Sequence, residues 1–176
     1  MDKRAVVLLS GGIDSLTALA VAKSEGYQCY ALSFDYAQRH AVEIDYARCS
    51  ADSVGVVEHR VVNLGIGAWG GSALTDMDLS VPSRPVDLPS TYVPARNMIF
   101  LSVALAWAEV VDAPVIFFGA NKQDFTNYPD CRPAFFSAFT DVANLATRFS
   151  DQGCEFVIET PLIDCNKADI IRLGLQ

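Results

Sequence analysis

The sequence is short of charge and long apolar runs, and each shortage removes a class of function. No stretch approaches the roughly 20 consecutive apolar residues of a membrane span, so no membrane partner is expected. Only 13 Lys and Arg stand against 21 Asp and Glu, a net charge of −8. A stable binder of RNA or DNA carries a basic stripe, because phosphate contacts dominate its affinity. None is visible here, so stable nucleic-acid binding is not expected. Small nucleotides remain allowed, since a few local groups can hold them. The five cysteines (Cys29, Cys49, Cys131, Cys154, Cys165) are odd in number and contain no C-x-x-C pair. They read as reduced, mostly buried thiols of a cytoplasmic protein. No cleavage-site pattern follows Met1-Asp2-Lys3-Arg4-Ala5, so no signal peptide is read. Internal repeats and low-complexity segments are missing too.

What is present is apolar. Of 176 residues, 51% are hydrophobic and 19% charged, and the mean hydropathy is +0.24. That excludes wholesale disorder. At about 150 residues per domain, residues 1–176 read as one domain. The surplus apolar character suggests a surface covered by something else, either a homodimer partner or a further segment.

Val6-Val7-Leu8-Leu9 is a continuous apolar run bounded by Ser10-Gly11-Gly12, the mark of a buried parallel strand. A helix capped by Asp14 or Ser15 is expected next, ending at Gly26. Cys29 to Phe34 reads as a second strand, about Ala41 to Val54 as a helix, and Val56 to Leu64 as a third strand. Gly65 to Pro94 is a long loop rich in Gly, Ser and Pro. Ala95 to Val111 reads as a helix apolar nearly all round, hence buried. Val115 to Phe118 is a fourth strand, Asn121 to Pro129 a polar loop, and Arg132 to Phe149 a helix. Phe156 to Ile158 is a fifth strand, and Lys167 to Leu173 begins a last helix. Such alternation predicts an α/β fold with a five-stranded parallel sheet sandwiched by helices.

The strongest local signal is Ser10-Gly11-Gly12-Ile13-Asp14-Ser15 at the first strand–helix junction. The glycines permit a tight turn and leave amide N–H groups unobstructed. The helix start adds free N–H groups and the positive end of its dipole. Together these make a cradle for phosphate. Ser10 and Ser15 add hydroxyl donors, and Asp14 can cap the helix or hold a Mg²⁺ that accompanies the phosphates. A Walker A loop is absent.

Three further clusters follow. Phe34-Asp35-Tyr36-Ala37-Gln38-Arg39-His40, then Glu43, comes after the second strand. Thr91-Tyr92-Val93-Pro94-Ala95-Arg96-Asn97 follows the long loop. Gly119-Ala120-Asn121, Asp124 and Tyr128-Pro129-Asp130-Cys131-Arg132 follow the fourth strand. Each alone could be turn chemistry or a cap. All fall at the C-terminal ends of strands, where open α/β sheets bind ligands.

The S-G-G-x-D-S string resembles the PP-loop of the ATP pyrophosphatase superfamily, with its Rossmann-like adenine nucleotide alpha hydrolase fold. With the other clusters, and with Thr160-Pro161-Leu162 and Lys167, the whole chain resembles the QueC family of queuosine biosynthesis. Ala37 stands where that family usually has Gly. The resemblance implies an ATP-dependent ligase that converts 7-carboxy-7-deazaguanine and ammonia to 7-cyano-7-deazaguanine through adenylated intermediates.

It also implies roles. Ser10, Gly11, Gly12, Asp14 and Ser15, flanked by Leu9 and Ile13, would bind the ATP phosphates. Ala31 and Ser33 would lie near the adenine, with Gly119 lining the same site. Arg96 and Lys167 would neutralise phosphate or carboxylate charge. With Asp14 and Ser15 they form the catalytic set. Tyr36, Gln38 and Tyr128 would stack on or hydrogen-bond the deazaguanine. Asp124 and Asp130 would accept from its N–H groups, and Arg39, His40, Asn97, Asn121 and Arg132 complete the substrate set. Family members continue into a Cys-rich C-terminal segment that binds structural Zn²⁺. None of the five cysteines matches it, so no zinc is expected in this chain, which stops at Leu175-Gln176. Two other readings stay open: another PP-loop adenylating enzyme, or a nucleotide-binding remnant that needs a partner chain.

Overall fold

The computed structural model describes residues 3–36, 42–66 and 92–175. Its centre is a parallel sheet of strands β1 (Arg4–Leu8), β2 (Gln28–Asp35), β3 (Glu58–Asn63), β4 (Val115–Phe117) and β5 (Val157–Glu159). The spatial order is β3-β2-β1-β4-β5. Val7 pairs with Ala31 on one side and with Phe117 on the other. The chain winds outward from β1 in one direction and returns through β4 in the other. The strand order therefore reverses between β1 and β4, and a crevice opens there at the carboxyl ends.

Helices cover both faces: α1 (Ile13–Ser24), α2 (Val42–Val54), α3 (Arg96–Val110), α4 (Lys122–Asn127), α5 (Pro133–Ala146), α6 (Arg148–Asp151) and α7 (Lys167–Gly174). Strand side chains alternate between faces, and the two cores divide accordingly. Ala5, Val7, Leu9, Cys29, Ala31 and Phe117 pack with Leu19 and Ala22 of α1 and Ala47 and Ala51 of α2. Val6, Leu8, Leu32, Phe34 and Ile116 pack with Leu101, Ala104 and Trp107 of α3 and Phe136 of α5. Burying one Leu or Phe side chain contributes about 1.5–3 kcal/mol. Both faces are thus anchored independently, leaving the carboxyl edge to carry chemistry.

Several elements depart from the sequence expectation. Gly12, not Asp14 or Ser15, is the N-cap of α1, and it makes no side-chain cap. The expected buried helix α3 buries one stripe, Leu101, Ala104, Trp107 and Ala108. Met98 and Val110 are exposed among the described residues. The polar stretch expected as a loop holds α4. Asn121 caps it, accepting from Gln123 and Asp124 N–H, while Asp124 accepts from the Asn121 N–H. This reciprocal capping box stabilises a short helix that apolar periodicity could not signal. The helix expected over Arg132 to Phe149 is two. Thr147 is extended at ψ 159 and separates α5 from α6.

Candidate active site

The crevice holds a cavity of about 320 Å³, lined at one end by Ser10, Asp14 and Ser15 and at the other by Arg96, Asn97, Tyr128 and Cys131. That is the lower range for small-molecule sites. Its apolar wall is Leu8, Leu32, Phe34 and Phe100.

At the first end the loop is locked by its own hydroxyls. Ser10 N–H donates to Ser15 Oγ at 3.1 Å, and Ser15 Oγ donates to the Gly12 carbonyl at 2.9 Å. Since that proton is committed, Ser10 Oγ donates to Ser15 Oγ at 3.1 Å. Gly12 N–H donates to Ser10 Oγ at 3.3 Å. Gly11 has φ +84, and a Cβ there would lie 2.2 Å from the Glu43 carbonyl oxygen. Only glycine tolerates both. Gly119 also approaches closely, since its Cβ would sit 3.1 Å from the Asp14 carbonyl. The end of β4 therefore abuts the start of α1.

Asp14 has an asymmetric carboxylate. Its Oδ2 accepts from Lys167 Nζ at 2.5 Å and from Asn121 Nδ2 at 3.2 Å. Its Oδ1 is buried with no hydrogen-bond partner among the described residues. A buried orphan acceptor costs about 1–3 kcal/mol or more when charged, so this oxygen fits a cation ligand. Mg²⁺ typically takes one or two carboxylates together with phosphate oxygens. No group of three or more His, Cys, Asp or Glu that could hold a metal occurs among the described residues.

At the other end Arg96 opens α3, after Ala95 in the left-handed region at φ 54. Its guanidinium donates to Tyr36 Oη at 3.4 Å and lies 5.9 Å from the Phe100 ring centroid. Phe100 stacks on Phe34 at 4.1 Å, and Tyr92 stacks on Tyr128 at 6.4 Å. A fixed cation between flat rings suits an anionic, planar ligand. Burial pushes the Asp124 carboxyl up, with the Asn121 N–H opposing and the Asp14 charge adding to the rise. Burial pushes the Cys131 thiol up to about 12. Cys131 is therefore a neutral wall rather than a nucleophile.

The cavity gathers Leu9, Ser10, Asp14, Ser15, Tyr36, Arg96, Asn97, Gly119, Asp124 and Tyr128 from the expected set. Gly11, Gly12 and Ile13 complete the turn beside it, and Lys167 joins through Asp14. Others are placed elsewhere. Ala31 and Ser33, expected beside adenine, belong to the opposite strand face. Ala31 packs into the α1–α2 core, and Ser33 Oγ donates to the Leu9 carbonyl and meets His59 Nε2 at 2.8 Å. Leu32 and Phe34 take the wall instead. The alternation of side chains along β2 was the signal available for that choice. Asp130, expected on the substrate, accepts from Asn97 N–H at 3.0 Å in the buried start of α3. Asn97 Nδ2 donates to the Asp130 carbonyl and to Cys131 Sγ at 3.1 Å. Asn121 is buried behind the cavity, and Arg132 is exposed away from its lining. Gln38, Arg39 and His40 lie outside the described residues. Phe100 and Phe118 line the cavity without having been anticipated as site residues, and Glu43, named in the cluster after the second strand without a role, lines it too. Phe100 was reachable as the position one helical turn beyond Arg96.

A family model described as queuosine biosynthesis protein QueC matches residues 4–176. A 7-cyano-7-deazaguanine synthase from Methylococcus capsulatus is 57% identical over 173 residues, 98% of this chain and 78% of that one. A protein of the same name from Saccharophagus degradans is 54% identical, covering 99% of this chain and 78% of that one. A solved 4-thiouridine synthetase–RNA complex with bound ATP superposes with a TM-score of 0.58 at 24% identity, over 98% of this chain and 40% of that one. The last likeness concerns the fold alone.

Proposed function

The chain belongs to the QueC family of queuosine biosynthesis proteins, and from that premise we propose that it is an ATP-dependent 7-cyano-7-deazaguanine synthase. The observation that carries the reading is one cavity with a phosphate cradle at one end and Arg96 among aromatic rings at the other. The relatives that share 54–57% of its residues carry that activity in their names.

A carboxylate is a poor electrophile, because its negative oxygens repel a nucleophile and oxide is a poor leaving group. ATP meets both problems. The substrate carboxylate attacks the α-phosphorus, pyrophosphate leaves, and an acyl-adenylate forms. Ammonia adds to its carbonyl, AMP departs, and loss of a proton gives the amide. The amide oxygen then attacks a second ATP, again releasing pyrophosphate. Loss of AMP and of both N–H protons leaves the nitrile. Each activation builds negative charge on the departing pyrophosphate, which the Ser10–Ser15 turn and the α1 N-terminus receive. Lys167 stands next to that turn on Asp14. Arg96 holds the carboxylate end of the substrate while Tyr36 and Tyr128 offer ring faces. The raised Asp124 carboxyl faces the N–H edge of the base. Asp14 would hold a Mg²⁺ that accompanies the phosphates, and the ion would neutralise part of the charge that builds on pyrophosphate.

We read residues 1–176 as one PP-loop domain acting on small molecules, in the cytoplasm, as a homodimer and without stable nucleic-acid binding. No helix among the described residues is long and apolar enough to cross a membrane. The test is direct. Protein, ATP, Mg²⁺, ammonia and 7-carboxy-7-deazaguanine are combined, and products are followed by mass spectrometry. The amide should appear first and the nitrile later, with AMP and pyrophosphate in step. ATP binding with neither product would sink the assignment and favour a chain that needs a partner.

A further inference from the structure

Asn121 enters the sequence reading as a substrate contact, but the structure gives it other work. It is 1% exposed and does not line the cavity. All four of its polar groups are committed, the backbone carbonyl by accepting from Asp124 N–H at 3.1 Å and from Phe125 N–H at 3.3 Å. Oδ1 accepts from Gln123 N–H at 2.9 Å and from Asp124 N–H at 3.4 Å, which holds the start of α4. The backbone N–H donates to Asp124 Oδ2 at 3.2 Å. Nδ2 donates to Asp14 Oδ2 at 3.2 Å.

Asn121 thus touches two carboxylates of the cavity, Asp14 on α1 and Asp124 on α4. Without it, Lys167 alone among the described residues would hold the Asp14 carboxylate. We propose that Asn121 is a positioning residue: it clamps Asp14 and Asp124 in fixed relation, and so keeps Asp14 Oδ1 turned toward the phosphate cradle.

Three features support a clamp over a plain cap. A cap needs only an acceptor, and Ser or Asp would serve as well as Asn; the longer amide caps with its oxygen while its Nδ2 reaches Asp14. Lys167 approaches the same oxygen, Oδ2. Both donors therefore hold one oxygen and leave Oδ1 bare. The Lys122 N–H donates to the Cys165 carbonyl at 3.2 Å, tying the start of α4 to the turn before α7. The donors to Asp14 come from segments that are themselves joined, so the carboxylate has a rigid seat.

The inference rests on the ATP reading of the cavity. Its test is a double-mutant cycle on magnesium–ATP binding by calorimetry, with no second substrate present. Asn121→Ser keeps the helix cap and removes the donor. It should weaken magnesium–ATP binding by about tenfold while the urea midpoint moves little. In an Asp14→Asn background the same change should cost less than about twofold, because Asn121 acts through Asp14. Additive effects would overturn the clamp and leave Asn121 a structural cap. Asn121→Asp preserves shape and cap but sets a carboxylate against Asp14. It should weaken binding more than Asn121→Ser does, and equal or tighter binding would overturn the proposal. A wild-type chain that binds no magnesium–ATP would overturn the clamp and the phosphate reading together. ATP binding without nitrile formation would remove only the proposed reaction.

Discussion

The two ends of the cavity are built by different means. The end proposed for phosphate is one short loop whose shape comes from backbone: a glycine at positive φ, hydroxyls that bond within the turn, and the N–H groups of α1. The opposite end is assembled from side chains of β2, α3, α4 and the tight turn Pro129–Cys131. Its members are far apart in sequence, and several hold one another rather than a ligand. A cradle made of backbone depends on a few positions absolutely. A wall made of side chains spreads its dependence, and each member has a graded effect.

The largest expected effect is therefore at Gly11. Gly11→Ala places a Cβ 2.2 Å from the Glu43 carbonyl of α2 and forces φ +84 on a residue that resists it. The strain is about 3 kcal/mol. Urea unfolding should show that loss, and calorimetry should show magnesium–ATP binding weakened by more than about a hundredfold. A variant with wild-type binding would mean the cradle is not backbone-built, and the contrast between the ends would fail.

Next comes Arg96. Lys keeps the charge but loses the flat guanidinium that lies against Phe100 and meets Tyr36. Arg96→Lys should lower kcat/KM for the acid substrate by about 10–100-fold, or ~1.4–2.8 kcal/mol. Magnesium–ATP affinity should change far less. Equal losses for both ligands would show that Arg96 belongs to the phosphate end after all.

The contrast also explains what the sequence disclosed. A backbone turn is a local object, so S-G-G-x-D-S suggested one site by itself, and its residues do stand together at one end of the cavity. The five strands and their parallel order were readable for a similar reason, since short apolar runs between turn signals need no distant partner to be recognised. Asp130 and Asn121 were not readable. Their residue types suggest ligand contacts as readily as caps, and only the partners brought up by folding, Asn97 and Asp14, decide. Ala31 and Ser33, expected near the adenine, stand one step of strand alternation from Leu32 and Phe34, which line the cavity. The small helix α4 was invisible because a capping box, not an apolar stripe, holds it.

Asp124 lets the side-chain wall be probed by pH. Burial raises its carboxyl above the ordinary value, so the fold prefers the protonated form. The wild type is then favoured by this group below the ordinary carboxyl range and loses that contribution as pH rises through the raised value. Asp124→Asn has no such proton to lose and keeps an acceptor for the Asn121 N–H. Its stability relative to wild type should rise between about pH 4 and neutrality, read by urea unfolding across that range. A relative stability that falls over the same range would mean the carboxylate is stabilised in place, and the sign assigned to its burial would be wrong.

The smallest effect belongs to Asp130, and it separates a wall that binds from a wall that merely stands. Its Oδ2 accepts from the Asn97 N–H in the first turn of α3, and its carbonyl accepts from Asn97 Nδ2. Both residues are buried. Removing the acceptor strands a buried N–H, so Asp130→Ala should destabilise by about 1–3 kcal/mol. Asp130→Asn retains a side-chain oxygen at the same place. It should cost under about 1 kcal/mol and leave KM for the acid within about twofold. The pairing matters because Asn97 carries Cys131 as well, so Asp130 shapes the cavity floor without touching what sits on it. If Asp130→Asn folds normally yet raises KM for the acid by tenfold, the carboxylate is reading the substrate directly. The side-chain end would then contain a second recognition group beyond Asp124, and its buried hydrogen bonds to Asn97 would have to break when the ligand binds.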